Sequence, residues 1–217
     1  MIAIAVDGPA SSGKGTVARR VAQLLGYQYV DTGAMYRTVG LLCQRQGVDV
    51  RDPAAAAEVA RHIDFAFAFR DGALVVYADG EDVSFAIRGE VVGAAASAVA
   101  VHPPVRSALL GLQRALGAAG RVVMDGRDIG TVVLPRSQLK VYLDASLDER
   151  ARRRHAELPD RAYADVRAEL AARDAQDMGR ATAPLRAADD AIHLDSTRLT
   201  IDEVVNSVVR LARERGG

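Results

Sequence analysis

AIAVDGPASSGKGT, residues 3–16, is an apolar run that breaks into glycines and resumes as a helical pattern. Ile2 to Val6 read as a buried strand, and from Lys14 onward Val17, Ala18, Val21, Leu24 and Leu25 fall on one side of a helix. Between them Gly8, Pro9, Ala10, Ser11, Ser12, Gly13 and Lys14 spell GxxxxGK, the pattern of a phosphate-cradling loop. Its glycines let backbone N–H groups turn inward around an anion, the helix N-terminus adds positive potential, and the lysine can reach a bound phosphoryl group. Where the motif expects Ser or Thr after the lysine, this chain has Gly15, with Thr16 one place late.

Working outward, four more apolar runs end, like the first, in an aspartate: YQYVD at Asp31, RVVMD at Asp125, KVYLD at Asp144 and AIHLD at Asp195. Helical patterns lie between or after them at Lys14 to Leu25, Ala34 to Gln46, Pro103 to Leu116, Leu147 to His155, Tyr163 to Asp177 and Ile201 to Arg213. Strand alternating with helix predicts an α/β fold, a three-layer arrangement around a mainly parallel five-stranded sheet. Ligands in such folds meet the carboxyl ends of the strands, where the five aspartates gather. Aspartate is also a common cap and turn residue, so the ending alone assigns none of them a role. The alternating segment 63–87, with Asp71-Gly72 and Asp79-Gly80, predicts antiparallel hairpins in a small lobe, 63–101, inserted into a single domain spanning 1–217. The arginine-dense region 150–186 reads as irregular and mobile.

Composition narrows the function classes. Lys+Arg and Asp+Glu both number 28, so overall charge calls for neither nucleic acid nor an anionic membrane. Only Lys14 and Lys140 are lysines, which leaves the cationic work to arginine, whose rigid fork suits phosphate. Cys43 has no partner for an internal disulfide and lies in an apolar helical stretch. The apolar start is too short for a signal peptide and no run approaches a membrane span, so a cytoplasmic monomer is expected. His62, His102, His155 and His193 are scattered without ligand spacing, and no protein metal cage is expected.

A hydroxyl directly after the lysine sits on magnesium in GTPases and motor ATPases, and here it is missing. The form GKGT resembles the nucleoside monophosphate kinases, in which the metal arrives with ATP. Two acceptor-side stretches sharpen this. VDTGAMYR, Val30 to Arg37, puts Thr32 at a helix N-cap and Arg37 one to two turns in, and MDGRDIGTVVLP, Met124 to Pro135, brackets Arg127-Asp128 between Gly126 and Gly130. Taken alone, the first is a capped helix and the second a turn ion pair. Together with the GKGT loop and the hairpin lobe, in the same order along nearly the whole chain, they are similar to the bacterial cytidylate kinase family.

That resemblance implies transfer of the γ-phosphoryl of ATP to CMP or dCMP, with Mg2+ carried by ATP. It implies Arg37 and Arg127 on the CMP phosphate, Thr32, Ser97, Arg106 and Asp128 around the nucleoside, and Ser97, Arg106 and Asp128 reading the cytosine. LDERARRRH places Arg150, Arg153 and Arg154 at i, i+3 and i+4. This is a solvated face on spacing alone, and an ATP-binding lid by resemblance. RDAQDMGR spaces Arg173, Asp177 and Arg180 at i, i+4 and i+7; the resemblance puts Arg173 and Asp177 on the CMP sugar and Arg180 on the phosphates. Where the family tends to carry a further arginine this chain has Gln176. Lys14, Arg37, Arg127 and Arg180 are the expected catalytic set, and Asp31, Asp125 and Asp128 are candidates to hold the metal's waters. Two rivals stay open: a kinase for another small acceptor such as UMP or AMP, and a nucleotide-binding regulatory or nucleic-acid ATPase module.

Overall fold

The computed structural model describes residues 2–71 and 73–217. The chain runs β1 (Ala3–Asp7), α1 (Lys14–Leu25), β2 (Gln28–Asp31), α2 (Thr32–Arg45), α3 (Pro53–His62), β3 (Phe65–Arg70), β4 (Ala73–Ala78) and β5 (Glu81–Asp82). It continues through α4 (Glu90–Val99), α5 (Pro103–Ala118), β6 (Val122–Gly126), a π-type turn (Ile129–Val133), β7 (Leu139–Asp144), α6 (Leu147–Glu157), α7 (Tyr163–Met178), β8 (Ile192–Asp195) and α8 (Ile201–Glu214).

Five strands form the parallel centre in the order β2-β6-β1-β7-β8. Alternation along β1 splits the core, because successive side chains point to opposite faces. Ile4 and Val6 pack with Val17 and Val21 of α1 and Val205, Val208 and Val209 of α8, while Ala5 joins Val30, Met124, Ile129 and Val133 on the other face. A capping box between Thr200 and Glu203 starts α8, and Asp52 caps α3 by accepting from the N–H groups of Ala54 and Ala55.

The register aligns the strand ends. Asp31 stands opposite Asp125, Asp7 opposite Gly126 and Tyr142, and Asp144 opposite Asp195. Since β1 has β6 on one side and β7 on the other, the loop after Asp7 opens into the crevice where the strand order reverses.

The sheet is larger than the expected five strands. β3, β4 and β5 form an antiparallel ribbon, and β4 joins the parallel edge of β2 at the pair Tyr29 and Ala73, making one sheet of eight. The alternating segment thereby covers the open edge of β2, which would otherwise expose unpaired N–H and C=O groups. Phe65 and Phe67 turn their shared face onto the cluster built by α2, α3, α4 and α5. Asp79 and Gly80, with φ of 51° and 82°, make the predicted tight turn between β4 and β5. The other predicted turn pair, Asp71-Gly72, lies partly outside the described residues.

Most of the region expected to be irregular is two packed helices, α6 and α7, while residues 179–186 beyond α7 form no helix or strand. Ala151, Val166 and Leu170 close a small apolar cluster on Ala10 of the glycine loop. Short apolar side chains at helical spacing bury one narrow stripe, and the arginines around it find carboxylates: Arg167 with Asp148, Arg152 and Arg153 with Glu149. Among the described residues no helix is long and apolar enough to cross a membrane.

Candidate active site

At the carboxyl edge of the sheet lies a cleft of about 1070 Å³. The glycine loop, α2, α4, β6 and α7 wall it, and cations outnumber carboxylates in its lining by ten to six, although the chain as a whole is neutral. Concavity and this excess of positive charge suit a polyanionic ligand.

The loop's conformation follows from its residues. Gly13, at φ 86°, occupies the left-handed region immediately before α1, and Ser11 holds φ 57°, which a non-glycine residue adopts only when its surroundings impose it. Ala10, Ser11, Lys14, Gly15 and Thr16 face the cleft; Gly8, Pro9, Ser12 and Gly13 form the back of the loop. The Lys14 ammonium is buried and donates to the Pro9 carbonyl at 3.1 Å. Burial, and next the charge of Arg127, lower its pKa to about 7, against the pull of Asp125 and Asp31.

Gly15 has a steric reason. A Cβ there would stand 3.3 Å from the Tyr29 hydroxyl and 3.7 Å from Asp125 Oδ2. The Tyr29 hydroxyl donates to Asp125 Oδ1 at 2.9 Å, so the space a Ser or Thr side chain would take is filled by this pair. Burial, and next the charge of Asp31, raise the Asp125 pKa to about 7. Burial and the Asp125 charge push the Tyr29 phenol upward.

On the facing wall Asp31, not Thr32, is the N-cap of α2, and Asp31 makes no side-chain capping bond. The Thr32 hydroxyl instead donates to the Asp125 carbonyl at 2.8 Å, tying the start of α2 to the end of β6. Arg37 reaches back to pair with Asp31. Arg106 of α5 and Asp128 form a buried ion pair, with the Arg106 guanidinium 5.4 Å from the centre of the Tyr36 ring. Asp128 thus turns to Arg106. Ser97 and Gly126 complete this end of the cleft, and the Ser97 carbonyl accepts from Gln176 at 3.0 Å. Asp7 shapes the same loop from below, since its carboxylate accepts from the N–H groups of Ile129 and Gly130, both at 2.8 Å. Burial raises the Asp7 pKa to about 6 although both hydrogen bonds oppose the shift.

Between the two ends lie Arg37, Arg127, Arg173 and Arg180. Asp177 receives Arg127 Nε at 2.8 Å on one oxygen and Arg180 on the other. The helix stops at Met178, so Arg180 reaches Asp177 from just past the end of α7. Burial, and next the charge of Arg127, lower the Arg173 pKa to about 10. Burial lowers that of Arg180 against the pull of Asp177. The Nε atoms of Arg37, Arg173 and Arg180 are buried and find no acceptor among the described residues. The guanidinium groups of Arg37, Arg127, Arg173 and Arg180 all line this one cleft, an arrangement suited to an oxyanion.

The three lid arginines part company. Arg154 lines the cleft and meets Glu157 and Glu90. Arg153 lies behind the loop and donates to the Ser196 carbonyl at 2.7 Å and to the Ser12 carbonyl at 3.4 Å. Arg150 is buried, does not line the cleft and pairs with Asp174. Sequence reasoning passed over Tyr29, Glu90 and Asp174. For Asp174 a signal existed: the buried stripe of α7 runs Val166, Leu170, Asp174, Asp177, two carboxylates continuing an apolar face. Among the described residues no group of three or more His, Cys, Asp or Glu could hold a metal ion.

A parallel sheet with a glycine loop at its switch point, a buried lysine and a belt of arginines together define a nucleotide-dependent phosphotransferase. Comparison with known proteins gives the particular kind. The cytidylate kinase family model matches residues 4–214. The cytidylate kinase of Geobacter sp. (strain M21) is 47% identical, the match covering 99% of this chain and 94% of that protein. For the cytidylate kinase of Geobacillus kaustophilus (strain HTA426) the identity is 46%, over 100% of this chain and 98% of that protein. A solved shikimate kinase from Bacteroides thetaiotaomicron is 16% identical, with a TM-score of 0.48 over 98% of each chain. The chain belongs to the cytidylate kinase family, and its reaction is phosphoryl transfer from ATP to CMP.

Proposed function

We propose that the cleft holds the two substrates end to end, the ATP phosphates on the loop from Gly8 to Thr16 and CMP, or dCMP, against α2, α4, α5 and the end of β6. The observation that carries this reading is that Arg37, Arg127, Arg173 and Arg180 line the same cleft as Lys14 and the glycine loop on one hand and Arg106 and Asp128 on the other. Lys14 and the loop N–H groups orient the donor phosphates. Arg37 and Arg127 grip the acceptor phosphate, and Arg180 follows the group in transit. Arg173 and Asp177 hold the CMP sugar, and Arg154 attends the ATP side, with Arg153 supporting the loop from behind. In a loose, metaphosphate-like transition state the protein supplies position and positive charge, so no strong general base is needed.

The residues fit a magnesium ion that arrives with ATP. Asp31 and Asp125 face each other across the β2–β6 register, and the charge of Asp31 is the second-largest influence raising Asp125, a repulsion that a nearby dication would relieve. Both would hold water molecules of the ion rather than the ion itself, and when bound it neutralises charge on the bridging phosphates. Asp128, paired with Arg106, serves the base instead.

Cytosine offers an amino donor beside ring N3 and carbonyl acceptors, a pattern that a carboxylate and a guanidinium held side by side can answer. Asp128 accepts from the amino group, Arg106 donates to the acceptors and Ser97 completes the pocket. Uracil would set a carbonyl against the buried Asp128 carboxylate and leave it unpaired, at a cost of roughly 1–3 kcal/mol. A coupled kinase assay with CMP, dCMP, UMP and AMP checks the reading: CMP and dCMP should turn over faster than UMP by about tenfold or more. Faster turnover of UMP or AMP than of CMP overturns it.

A further inference from the structure

Arg150 and Asp174 do not line the cleft; they meet at one residue of the phosphate loop. The Ala10 N–H donates to Asp174 Oδ1 at 3.2 Å, and the Ala10 carbonyl accepts from an Arg150 terminal nitrogen at 3.1 Å. The same guanidinium pairs with Asp174 Oδ2, and its Nε donates to the Ala145 carbonyl at 2.9 Å. Ala10, Arg150 and Asp174 are all buried. We propose that Arg150 and Asp174 are positioning residues for ATP: as a clamp on both peptide groups of Ala10, they fix the direction in which the loop presents its neighbouring groups.

In a planar trans peptide the C=O of one residue and the N–H of the next point in opposite directions. Drawing the Ala10 carbonyl back to Arg150 therefore aims the Ser11 N–H the other way, toward the cleft that Ser11 lines. Drawing the Ala10 N–H to Asp174 turns the Pro9 carbonyl away from the carboxylate, and that carbonyl accepts from Lys14 Nζ at 3.1 Å. Two consecutive peptides are thus oriented from behind. The clamp also accounts for φ 57° at Ser11, a left-handed conformation that needs support from its surroundings. A carbonyl left free to flip into the loop would set a negative dipole against the phosphates. Because α6 and α7 supply the two charges, the direction of the loop peptides is tied to the packing of these helices.

The proposal rests on the loop being the ATP phosphate site, so Lys14→Ala is run alongside as the test of that reading. Removing one charge of a buried pair strands the other, whereas replacing both by apolar side chains is often neutral. The deciding variant is therefore Arg150→Met with Asp174→Leu, which keeps the α6–α7 contact and deletes the clamp. It should melt close to the parent protein yet lose about tenfold or more in kcat/KM for ATP, with the KM for CMP within about twofold. Amide hydrogen exchange should quicken at Ser11 without change in the sheet. Asp174→Asn keeps an acceptor for Ala10 and loses the charge, and should show the same ATP-selective loss to a smaller degree. If the double variant folds with unchanged kcat/KM for ATP while Lys14→Ala abolishes turnover, the clamp is wrong and the loop reading stands. If the double variant fails to fold, Asp174→Asn decides, and equal losses toward ATP and CMP reject positioning in favour of a merely structural pair.

Discussion

Lys14 sits where its charge is hardest to keep. Burial, and then the charge of Arg127, bring its pKa to about 7 from the ordinary 10.5. The folded chain therefore holds fewer protons than the unfolded one between those values, and the group's destabilising effect is full below about pH 7 and fades as pH rises toward 10.5. Phosphates placed against the ammonium reverse the shift, so ATP binding draws in a proton. Isothermal titration at about pH 8 in two buffers of different ionisation enthalpy should report uptake of about half a proton or more; identical heats in both buffers would contradict it. The importance of this lysine is readable in the sequence, where GxxxxGK follows an apolar strand. Its low pKa is not, since that depends on burial in the folded cleft and then on Arg127, more than a hundred positions away and brought near by the β1–β6 pairing.

At the scale of elements, the junction of β6, α2 and the π-type turn sets the acceptor end of the site. Gly126 lies at its centre. A Cβ there would stand 2.7 Å from both Thr32 Oγ1 and Ile129 Cδ1, so only glycine lets the three segments close. Gly126→Ala should destabilise the protein by about 1–3 kcal/mol through overpacking. It should raise the KM for CMP more than that for ATP, because Thr32 and the Arg127-Asp128 pair are displaced together. Denaturant unfolding with steady-state kinetics checks both effects, and an equal change in the two KM values would show that the junction does not belong to the CMP side. Six of the eight helices among the described residues were legible to within a few residues because their apolar stripes keep the 3.6-residue period, whereas the short, alanine-rich α3 and α4 were not delimited. The destinations of Arg150, Arg153 and Arg154 were not. Spacing puts them on one face, but that face is broad enough for one to turn into a buried pair, one behind the loop and one into the cleft. The turn at Ile129–Val133 was equally hidden, because the Asp7 carboxylate that receives its N–H groups comes from the far end of the sequence.

Over the whole molecule, the two walls of the cleft are joined across its mouth by weak ties. Glu90 at the start of α4 meets Arg154 at 3.4 Å and Arg161 at 3.8 Å, and Gln176 of α7 meets the Ser97 carbonyl. Exposed pairs of this kind contribute about 0–1 kcal/mol each and are screened by salt, so the mouth can open at little energetic expense while the buried Arg127–Asp177 pair holds the floor of the cleft. The deep interior is different in kind: strands β1, β2, β4, β6 and β7 and the inner faces of α1, α2, α5 and α8 carry most of the fully buried side chains. Such a division makes ligand binding the main agent that joins the walls. CMP, touching groups from α2, α4, α5 and α7 at once, should stabilise the fold by about 2.7 kcal/mol at a hundred times its Kd. For a chain of this length that corresponds to a rise in melting temperature of roughly 5–10 °C. UMP at the same concentration should give a distinctly smaller rise, because the Asp128 and Arg106 pair answers only one of the two bases. Thermal melts with CMP, UMP and ATP, alone and in pairs, measure this directly. The rise with CMP and ATP together should exceed the sum of the separate rises if the two substrates close the same cleft. A strictly additive or smaller combined shift would mean that each binds a wall of its own and that closure plays no part in bringing them together.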